Sequence, residues 1–258
     1  MKKTVSRALL TIVALAFTFS LSAQYAGVTL EYVKLKPGQN NAYLELEEFV
    51  LPLHHARVEK GIITRWGLYK KLYTSQNDPY DYILVSSNDD FKKTQNPYPQ
   101  DLIDANYTME EQAEFWKNAS ASRTIVKSEY YDRVTFTEGG QAYKYLRFTR
   151  YQVDNNQEFE KLRKDLVKPL FDELVKRGIN AGWSVWKKDP NDRMFQYVAV
   201  NTYAEFGDWK NGLPLEEIFK EVFPDKDLNE ARNAVTSTRT EINSEIWKLV
   251  MSTDKPAE

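Results

Sequence analysis

The sequence predicts an α+β protein built from two tandem units, each with the element order β-α-β-β-α-β, whose two sheets pack against each other. An internal repeat is the first observation behind this prediction. The stretch PLHHARVEKGIITRWGLYKK, which begins at Pro52, returns 117 residues later as PLFDELVKRGINAGWSVWKK, which begins at Pro169. The second observation is that each copy lies within the same succession of helical and strand-like periodicities.

The repeat extends over most of the chain in collinear blocks with small gaps. Residues 79–91 (PYDYILVSSNDDF) align with 194–206 (MFQYVAVNTYAEF), and residues 122–131 (SRTIVKSEYY) align with 238–247 (TRTEINSEIW). Between the copies, TEGGQ is typical of a turn. The sequence therefore predicts five segments: a signal peptide over 1–23, a first unit over 24–136, a linker over 137–142, a second unit over 143–250 and a flexible C-terminal tail over 251–258.

A strand followed by a helix opens each unit. We predict the strands near Val28–Leu35 and Tyr145–Val153, where apolar and polar residues alternate. In the helix of the second unit, the leucine and phenylalanine residues at 159, 162, 166, 170 and 174 share one face. This spacing indicates a helix that packs one side against a sheet.

Glycine and proline mark the same points in both helices. Gly61 and Gly178 stand where a helix C-terminus favours a residue in the left-handed conformation. Pro52 and Pro169 lie inside the helical pattern, where a proline removes one hydrogen bond. We therefore expect a kink or a break in both helices.

Two strands, a second helix and a last strand complete each unit. We predict the middle strands near 62–73 and 80–87 in the first unit and near 179–187 and 194–202 in the second, and the second helices near 108–120 and 227–237. This is the ferredoxin-like order, in which both helices cover one face of an antiparallel sheet. The other face needs a partner, and the two units of one chain are expected to cover each other as an intramolecular, pseudo-dimeric α/β barrel.

Alternation along the strands predicts which side chains face the helices and which face the partner unit. The set assigned to the helix side is Thr124, Val126, Ser128, Tyr130, Thr240, Ile242, Ser244 and Ile246, together with Val28, Leu30, Leu146 and Phe148 of the first strands. The set assigned to the opposite, more polar side is Arg123, Ile125, Lys127, Glu129, Tyr131, Arg239, Glu241, Asn243, Glu245 and Trp247, with Thr29, Glu31, Arg147 and Thr149.

These features together resemble the dimeric α/β-barrel superfamily, which includes antibiotic-biosynthesis-type monooxygenases, haem-degrading monooxygenases and related stress-response proteins. The resemblance covers nearly all of the chain after residue 23, and the spacings Gly61–Trp66 and Gly178–Trp183 are part of it. It implies a fused version of the fold, in which one chain makes its own pseudo-dimer. The resemblance includes no diagnostic catalytic motif, and fold alone does not define an activity.

The N-terminal segment and the composition predict an exported protein. Lys2, Lys3 and Arg7 precede an apolar run over 8–21 and small residues near 22–23, which is the layout of a signal peptide; a single N-terminal anchor helix is the alternative. The chain has no Cys, so it contains no disulfide. Its net charge of −2 is well mixed, which indicates neither a nucleic-acid surface nor a polybasic membrane patch. We expect a periplasmic or extracellular location.

His54 is the strongest candidate for a catalytic residue. The chain has only two histidines, His54 and the adjacent His55, so the common His/Cys zinc sites are excluded. His54 aligns with Phe171, which predicts that it points inward between the helices and the sheet of the first unit. There it is a candidate general base or haem ligand, and the alternative is a half-buried structural histidine.

Aromatic and charged residues on the strands are the candidate ligand-binding groups. Trp66 and Trp183 occupy equivalent positions, either as pocket walls or as core residues, and Tyr69 and Trp186 point to the opposite side, the expected barrel interior. Arg123, Arg147 and Arg239 would bind an anion in a polar barrel interior. Glu129 and Glu245 would pair with Arg239 and Arg123 across the two sheets, and a closed set of such ion pairs is the alternative to a binding site.

The sequence therefore leaves three functions open. The first is an exported protein that binds a small, mostly apolar or aromatic ligand near His54 and Trp66. The second is a monooxygenase of the barrel type, either cofactor-independent or haem-dependent, and the third is a non-catalytic structural or interaction protein. We expect a small-molecule partner and neither nucleic acid nor membrane after signal cleavage; the sequence does not predict further oligomerisation.

Overall fold

A computed structural model describes residues 27–75, 77–137, 140–190 and 194–254. The predicted signal peptide over 1–23 lies outside the described residues, as do 138–139 of the predicted linker and 255–258 of the predicted tail. In the described part of the chain, no helix combines the length and the apolar character needed to cross a bilayer.

Both halves contain the predicted order of elements. In the first half the elements are β1 (Gly27–Leu35), α1 (Asn40–Glu59), β2 (Arg65–Lys71), β3 (Tyr82–Asn88), α2 (Gln100–Asn106), α3 (Met109–Ser122) and β4 (Arg123–Phe136). In the second half they are β5 (Tyr145–Val153), α4 (Asn156–Leu162), α5 (Lys168–Lys176), β6 (Gly182–Asp189), β7 (Tyr197–Tyr203), α6 (Leu215–Val222), α7 (Leu228–Ser237) and β8 (Arg239–Ser252). The short helices α2 and α6 lie in the connections before α3 and α7, where no helix was expected.

The eight strands close into one antiparallel barrel with the order β1-β3-β2-β8-β5-β7-β6-β4. Each half contributes a four-stranded sheet, and the sheets join edge to edge through the β2–β8 and β4–β6 pairings. Closure leaves none of the eight described strands with an unpaired edge. The predicted pseudo-dimeric barrel is confirmed.

The helix that contains Pro52 is continuous, whereas the helix that contains Pro169 is interrupted just before it. α1 continues through Pro52 without interruption, so the expected break is absent from the first half. In the second half, a π-helical turn over Arg163–Val167 separates α4 from α5, and Pro169 follows directly in the first turn of α5. The wider turn loosens the hydrogen-bond pattern at the point where a proline has no donor. Gly61 and Gly178 adopt the expected positive φ, +65° and +71°.

The described residues form three hydrophobic cores, and the largest lies inside the barrel. It joins alternate residues of strands from both halves, including Val28, Leu30, Leu146, Phe148, Tyr131 and Trp247. Two further cores lie under the helices, one in each half, around Trp66 and Trp183. Glu129, Tyr131, Glu245 and Trp247 thus lie on the interior side, as predicted.

The apolar side chains of the first strands, β1 and β5, face the opposite side of the sheet from the one predicted. Val28 and Leu30, with their counterparts Leu146 and Phe148, were expected under the helices but belong to the interior core. Val33, two residues beyond Glu31 on the same face, instead packs under α1. The alternation itself is as expected, but the barrel closes around the face that carries Val28 and Leu30, so these side chains lie in the interior.

β8 also extends beyond the predicted second unit. The strand ends at Ser252, two residues into the segment expected as a tail, and Leu68 of β2 pairs with Met251. The Thr253 backbone N–H then donates to the Trp66 carbonyl at 3.0 Å. The β2 pairing therefore holds the chain in place as far as Thr253.

Candidate ligand-binding cavity in the barrel

A cavity of about 1090 Å³ opens at one end of the barrel interior. Its walls come from the first residues of β1, β2, β5 and β6 and the last residues of β3, β4, β7 and β8. The aromatic lining consists of Tyr69, Tyr131, Phe136, Tyr143, Phe148, Trp183 and Trp186, and the main aliphatic lining of Val28, Leu30, Leu146, Val198, Val200 and Leu249. The cavity is therefore mostly apolar, with polar atoms at a few fixed points.

The polar atoms on the walls are largely paired with each other. The Tyr69 and Tyr143 hydroxyls lie 3.0 Å apart, and Trp186 Nε1 donates to Ser184 Oγ at 2.7 Å. These contacts fix the aromatic rings in place. Tyr69 and Trp186 thus line the interior, where the sequence analysis placed them.

Charged residues surround the open end of the cavity. Arg65 Nη2 lies 2.5 Å from an Asp254 carboxylate oxygen, and Lys144 Nζ lies 3.0 Å from Glu205. The guanidinium of Arg133 lies 3.9 Å from the centre of the Phe136 ring. All five charged residues line the cavity.

The opposite end of the barrel is closed by buried ion pairs that join the two halves. Glu129 of β4 accepts from Lys188 of β6 at 2.8 Å, and Glu245 of β8 lies 3.1 Å from Lys71 of β2. The two pairs are equivalent in the internal repeat, since Glu129 aligns with Glu245 and Lys71 with Lys188. Arg150 adds a second contact to Glu245 at 2.8 Å.

Hydrogen bonds and neighbouring positive charges keep both glutamates ionised despite their burial. For Glu129, burial favours the protonated form, but hydrogen bonds from Lys188 and Tyr131 outweigh it and lower the pKa to about 2. For Glu245, Arg150 and Lys71 overcome burial in the same way and lower the pKa. Tyr80 also donates to Glu245 at 2.9 Å. These glutamates are structural ion-pair partners at the floor of the barrel, but not with the arginines expected from the sequence.

The three arginines expected in the interior point elsewhere, which corrects the prediction of an Arg-lined lumen. Arg123 lies beneath α1, with its Nε 3.5 Å from Glu47, and Arg239 lies 4.3 Å from the Tyr151 ring in the second helix–sheet core. Arg147 Nε donates to Ser244 Oγ at 2.7 Å. The structure therefore does not bring these arginines together.

Two β-bulges explain the positions of Arg123 and Arg239. The β1–β4 register shifts between Tyr32 and Val33, and the β5–β8 register shifts between Arg150 and Tyr151. An extra residue in β4 and β8 reverses the alternation beyond the bulge. Both arginines lie beyond it, so they turn to the helix side.

The tryptophans at 66 and 183 belong to the helix–sheet cores. The Trp66 ring stacks on His54, with ring centroids 4.1 Å apart, and the Trp183 ring stacks on Phe171 at 5.0 Å. His54 itself is 3% exposed, whereas His55 is exposed on the outer face of α1. The predicted inward orientation of His54 is observed.

His54 is held as a neutral ring. Its Nδ1 lies 2.9 Å from Arg57 Nη1, and Arg57 is 1% exposed. Burial, followed by the positive charge of Arg57, lowers the pKa of His54 to about 2. Because such a ring binds a proton very weakly at neutral pH, it is a poor general base.

A cluster of buried polar residues surrounds this histidine, and the sequence did not predict it. Glu47 is 2% exposed, and burial raises its pKa to about 7 although Arg123 opposes the shift. Burial also raises the pKa of Glu31. The signal in the sequence was Arg57, a charged residue at the position of α1 that aligns with the apolar Leu174 of the second half.

The residues around His54 do not fit a haem. Trp66 covers one face of the imidazole, Tyr98 approaches it edge-on with ring centroids 6.2 Å apart, and Arg57 occupies Nδ1. An axial ligand needs a nitrogen directed into a space wide enough for a porphyrin. Among the described residues, no group of three or more His, Cys, Asp or Glu side chains is arranged to hold a metal ion either.

Comparison with solved structures supports the fold. No protein-family model matches the sequence, and no curated protein is significantly similar to it. A proposed monooxygenase from Fusobacterium nucleatum is 8% identical with a TM-score of 0.53, and the match covers 90% of this chain and 95% of that one. An anthrone oxidase-like protein is 12% identical with a TM-score of 0.52, covering 89% and 92%.

A haem-binding protein from Thermus thermophilus is also similar, with 10% identity, a TM-score of 0.50, and coverage of 88% of this chain and 92% of that one. At these identities the likeness concerns the fold only. The match nevertheless spans both halves of the barrel in each case. This chain therefore has the fold of the dimeric α/β-barrel superfamily, with both halves of the barrel supplied by a single polypeptide.

Proposed function

We propose that this protein binds a small, mostly apolar or aromatic molecule in the open end of the barrel. The observation that carries the proposal is the cavity of about 1090 Å³. An eight-stranded barrel is just wide enough for side chains to fill its interior or for one small ligand. Ligand pockets typically measure about 300–1,000 Å³, so this space is ample for a small molecule.

The walls favour an aromatic ligand. Tyr69 and Trp186 present flat surfaces whose polar atoms are already hydrogen bonded. Burial of apolar area contributes about 25 cal/mol per Å², and ring-on-ring contacts add about 0.5–1.5 kcal/mol each. A flat apolar molecule would gain from both effects without leaving the wall polar groups unpaired.

This proposal moves the binding site away from His54. The sequence favoured a site between α1 and the sheet, but His54 and Trp66 are 3% and 0% exposed and stack on each other. A ligand there would have to displace a packed core. In the barrel interior, a ligand enters space that already exists.

A monooxygenase-type reaction on the bound molecule is a second candidate. It is supported by the fold shared with a proposed monooxygenase and an anthrone oxidase-like protein. A cavity that is lined by apolar walls and closed at the floor would exclude bulk water from such a reaction. Oxygen consumption on addition of an aromatic substrate, with a product of increased mass, would favour this candidate over simple binding.

Export remains part of the proposal. Its support is the basic start and the apolar run over 8–21 in the sequence. Fractionation of cells that express the full chain, with N-terminal sequencing of the mature protein, tests it. A protein retained in the cytoplasm with its N-terminus intact would contradict export without bearing on the cavity.

The binding proposal is tested with the neutral probe N-phenyl-1-naphthylamine, whose fluorescence rises in apolar surroundings. We expect saturable binding to the wild-type protein. Leu249→Trp adds volume inside the cavity and should weaken binding at least about tenfold, since overfilling removes the space for the probe. Ile242→Trp is the matched control, because Ile242 lies on the same strand but is 42% exposed.

Two results would refute the proposal. One is an absence of saturable fluorescence with the wild-type protein. The other is equal probe affinity in the Leu249→Trp and Ile242→Trp variants, which would place the probe outside the barrel. Thermal unfolding of both variants confirms that each is folded before affinities are compared.

A further inference from the structure

We propose that the ligand of the barrel cavity carries a carboxylate, and that Arg65 at the cavity mouth binds this group in place of Asp254. This inference rests on the proposed binding function and names the chemical class of the ligand. It starts from the position of Arg65, the first residue of β2, whose side chain lines the cavity.

Arg65 has capacity for a further acceptor. Its guanidinium lies 5.0 Å from the centre of the Tyr143 ring, and its Nη2 contacts Asp254. Its Nε is buried and has no hydrogen-bond partner among the described residues. A buried donor without a partner is costly, and a guanidinium pairs best with a carboxylate that accepts two parallel hydrogen bonds. A ligand carboxylate that replaces Asp254 at Nη2 would satisfy this donor as well once the Arg65 side chain rotates to expose Nε.

Asp254 shows where such a carboxylate fits. Thr253 is fixed against β2, because its N–H donates to the Trp66 carbonyl and its hydroxyl accepts from the Trp66 N–H at 2.9 Å. This anchoring places the next residue, Asp254, opposite Arg65 at the rim of the cavity. The chain thus supplies its own carboxylate at the mouth of an aromatic-lined space.

The ion pair with Asp254 is weak enough to be replaced. The Arg65 and Asp254 side chains are 29% and 49% exposed. Ion pairs with such exposure contribute little to stability because water and salt screen them. A ligand that exchanges this contact for one of its own would lose little, while its rings enter the apolar cavity.

The other ion pair at the mouth does not select the sign of a ligand's charge. Lys144 and Glu205 balance each other in an exposed pair. The charge preference of the mouth therefore depends on Arg65.

A matched pair of fluorescent ligands tests the inference: anthracene-2-carboxylate and its neutral amide, which have almost the same shape. In the wild-type protein we expect the carboxylate to bind roughly tenfold more tightly than the amide, the effect of one charge-assisted contact. Arg65→Gln should reduce this ratio to about one with little change for the amide. Asp254→Asn should raise carboxylate affinity about three- to fivefold, because it removes the competing carboxylate.

Glu205→Gln is the control variant. It removes another carboxylate from the same rim, but one that contacts Lys144 and not Arg65, so the ratio of the two affinities should stay as in the wild type. Arg65→Gln is checked by thermal unfolding; if it fails to fold, Asp254→Asn alone decides the matter.

The outcomes separate the two proposals. Equal binding of the carboxylate and the amide in the wild type, or no gain for the carboxylate in Asp254→Asn, overturns the role of Arg65 and leaves the cavity as a neutral aromatic site. Failure of both ligands and of the neutral naphthylamine probe overturns the binding function itself, and the carboxylate inference with it.

Discussion

His54 lies flat against Trp66, with ring centroids 4.1 Å apart and planes 12° from parallel, where the second half of the chain stacks Phe171 on Trp183 at 5.0 Å and the same 12°. The two halves therefore contain the same ring-on-tryptophan stack, with an imidazole in the first half and a phenyl ring in the second. An imidazole replaces a phenyl ring only if its nitrogens find partners. Arg57 supplies one at 2.9 Å, and its equivalent in the second half is Leu174, which is fully buried.

His54→Phe should destabilise the protein, although it copies the residue found in the second half. The new ring preserves the stack on Trp66 but leaves the buried Arg57 without the Nδ1 acceptor, at a cost of about 1–3 kcal/mol. The double variant His54→Phe/Arg57→Leu copies both residues of the second half and should recover most of this loss. Urea unfolding at neutral pH measures the free energy of unfolding of both variants. The single Arg57→Leu variant completes the double-mutant cycle.

A double variant as unstable as the sum of its single variants would contradict this coupling. The pH dependence gives an independent check. The pKa of His54 is about 2 in the folded protein, below its usual 6.5, so the unfolded chain binds more protons between these values and stability is lost as pH falls below about 6.5. The penalty for His54→Phe should therefore shrink by about 2 kcal/mol between pH 6.5 and pH 5.

Glu47 should give the opposite pH dependence. Its folded pKa of about 7 lies above the usual 4.5, so the folded protein binds the extra proton and stability is lost as pH rises from about 4.5 through 7. Glu47→Gln keeps the shape of the protonated acid. It should be about 3 kcal/mol more stable than the wild type at pH 8 and nearly equal at pH 4.5.

Unfolding at pH 4.5, 6 and 8 measures this difference in stability. Glu45→Gln, on the exposed face of the same helix, is the control, and its stability relative to the wild type should not change with pH. The Arg123 side chain, which lies 3.5 Å from Glu47, is the main competing influence. If Glu47→Gln is less stable than the wild type at pH 8, attraction to Arg123 outweighs burial.

The repeat predicted most of the fold because it fixes element order twice. The predicted first strand near Tyr145–Val153 matches β5, and the predicted helix near 227–237 differs from α7 by one residue. The predicted side of the sheet for Val28 and Leu30 was wrong, because alternation shows that the two faces of a strand differ but not which face is enclosed. Closure of the barrel decides that, and closure depends on contacts far apart in sequence.

The site was less predictable for the same reason. Tyr69 and Trp186 could be assigned to the interior from strand alternation alone. The bulges in β4 and β8 have no glycine or proline to mark them in the sequence, yet each turns an arginine from one side of the sheet to the other. A cavity is likewise a property of how eight strands close, so no single stretch of sequence could indicate its volume.

The ion pairs at the barrel floor join the two halves, so they should contribute to the stability of the folded protein. Glu245 of the second half contacts Lys71 of the first half at 3.1 Å and Arg150 at 2.8 Å, and all three side chains are at most 12% exposed. Glu245→Gln leaves the buried Arg150 without its carboxylate and leaves Lys71 paired with Asp78 alone, 3.3 Å away. Breaking a buried pair in this way typically costs about 3–5 kcal/mol. Glu216→Gln, which breaks the exposed Glu216–Lys220 pair, should change stability by less than about 0.5 kcal/mol.

Chemical unfolding at neutral pH gives both values, and a salt series adds a second criterion. The contribution of Glu245 should persist at high salt because buried pairs are screened much less than exposed ones. Equal effects of the two substitutions would mean that water reaches the barrel floor. In that case the closed end of the barrel would be open to solvent, and the cavity would be a channel through the molecule.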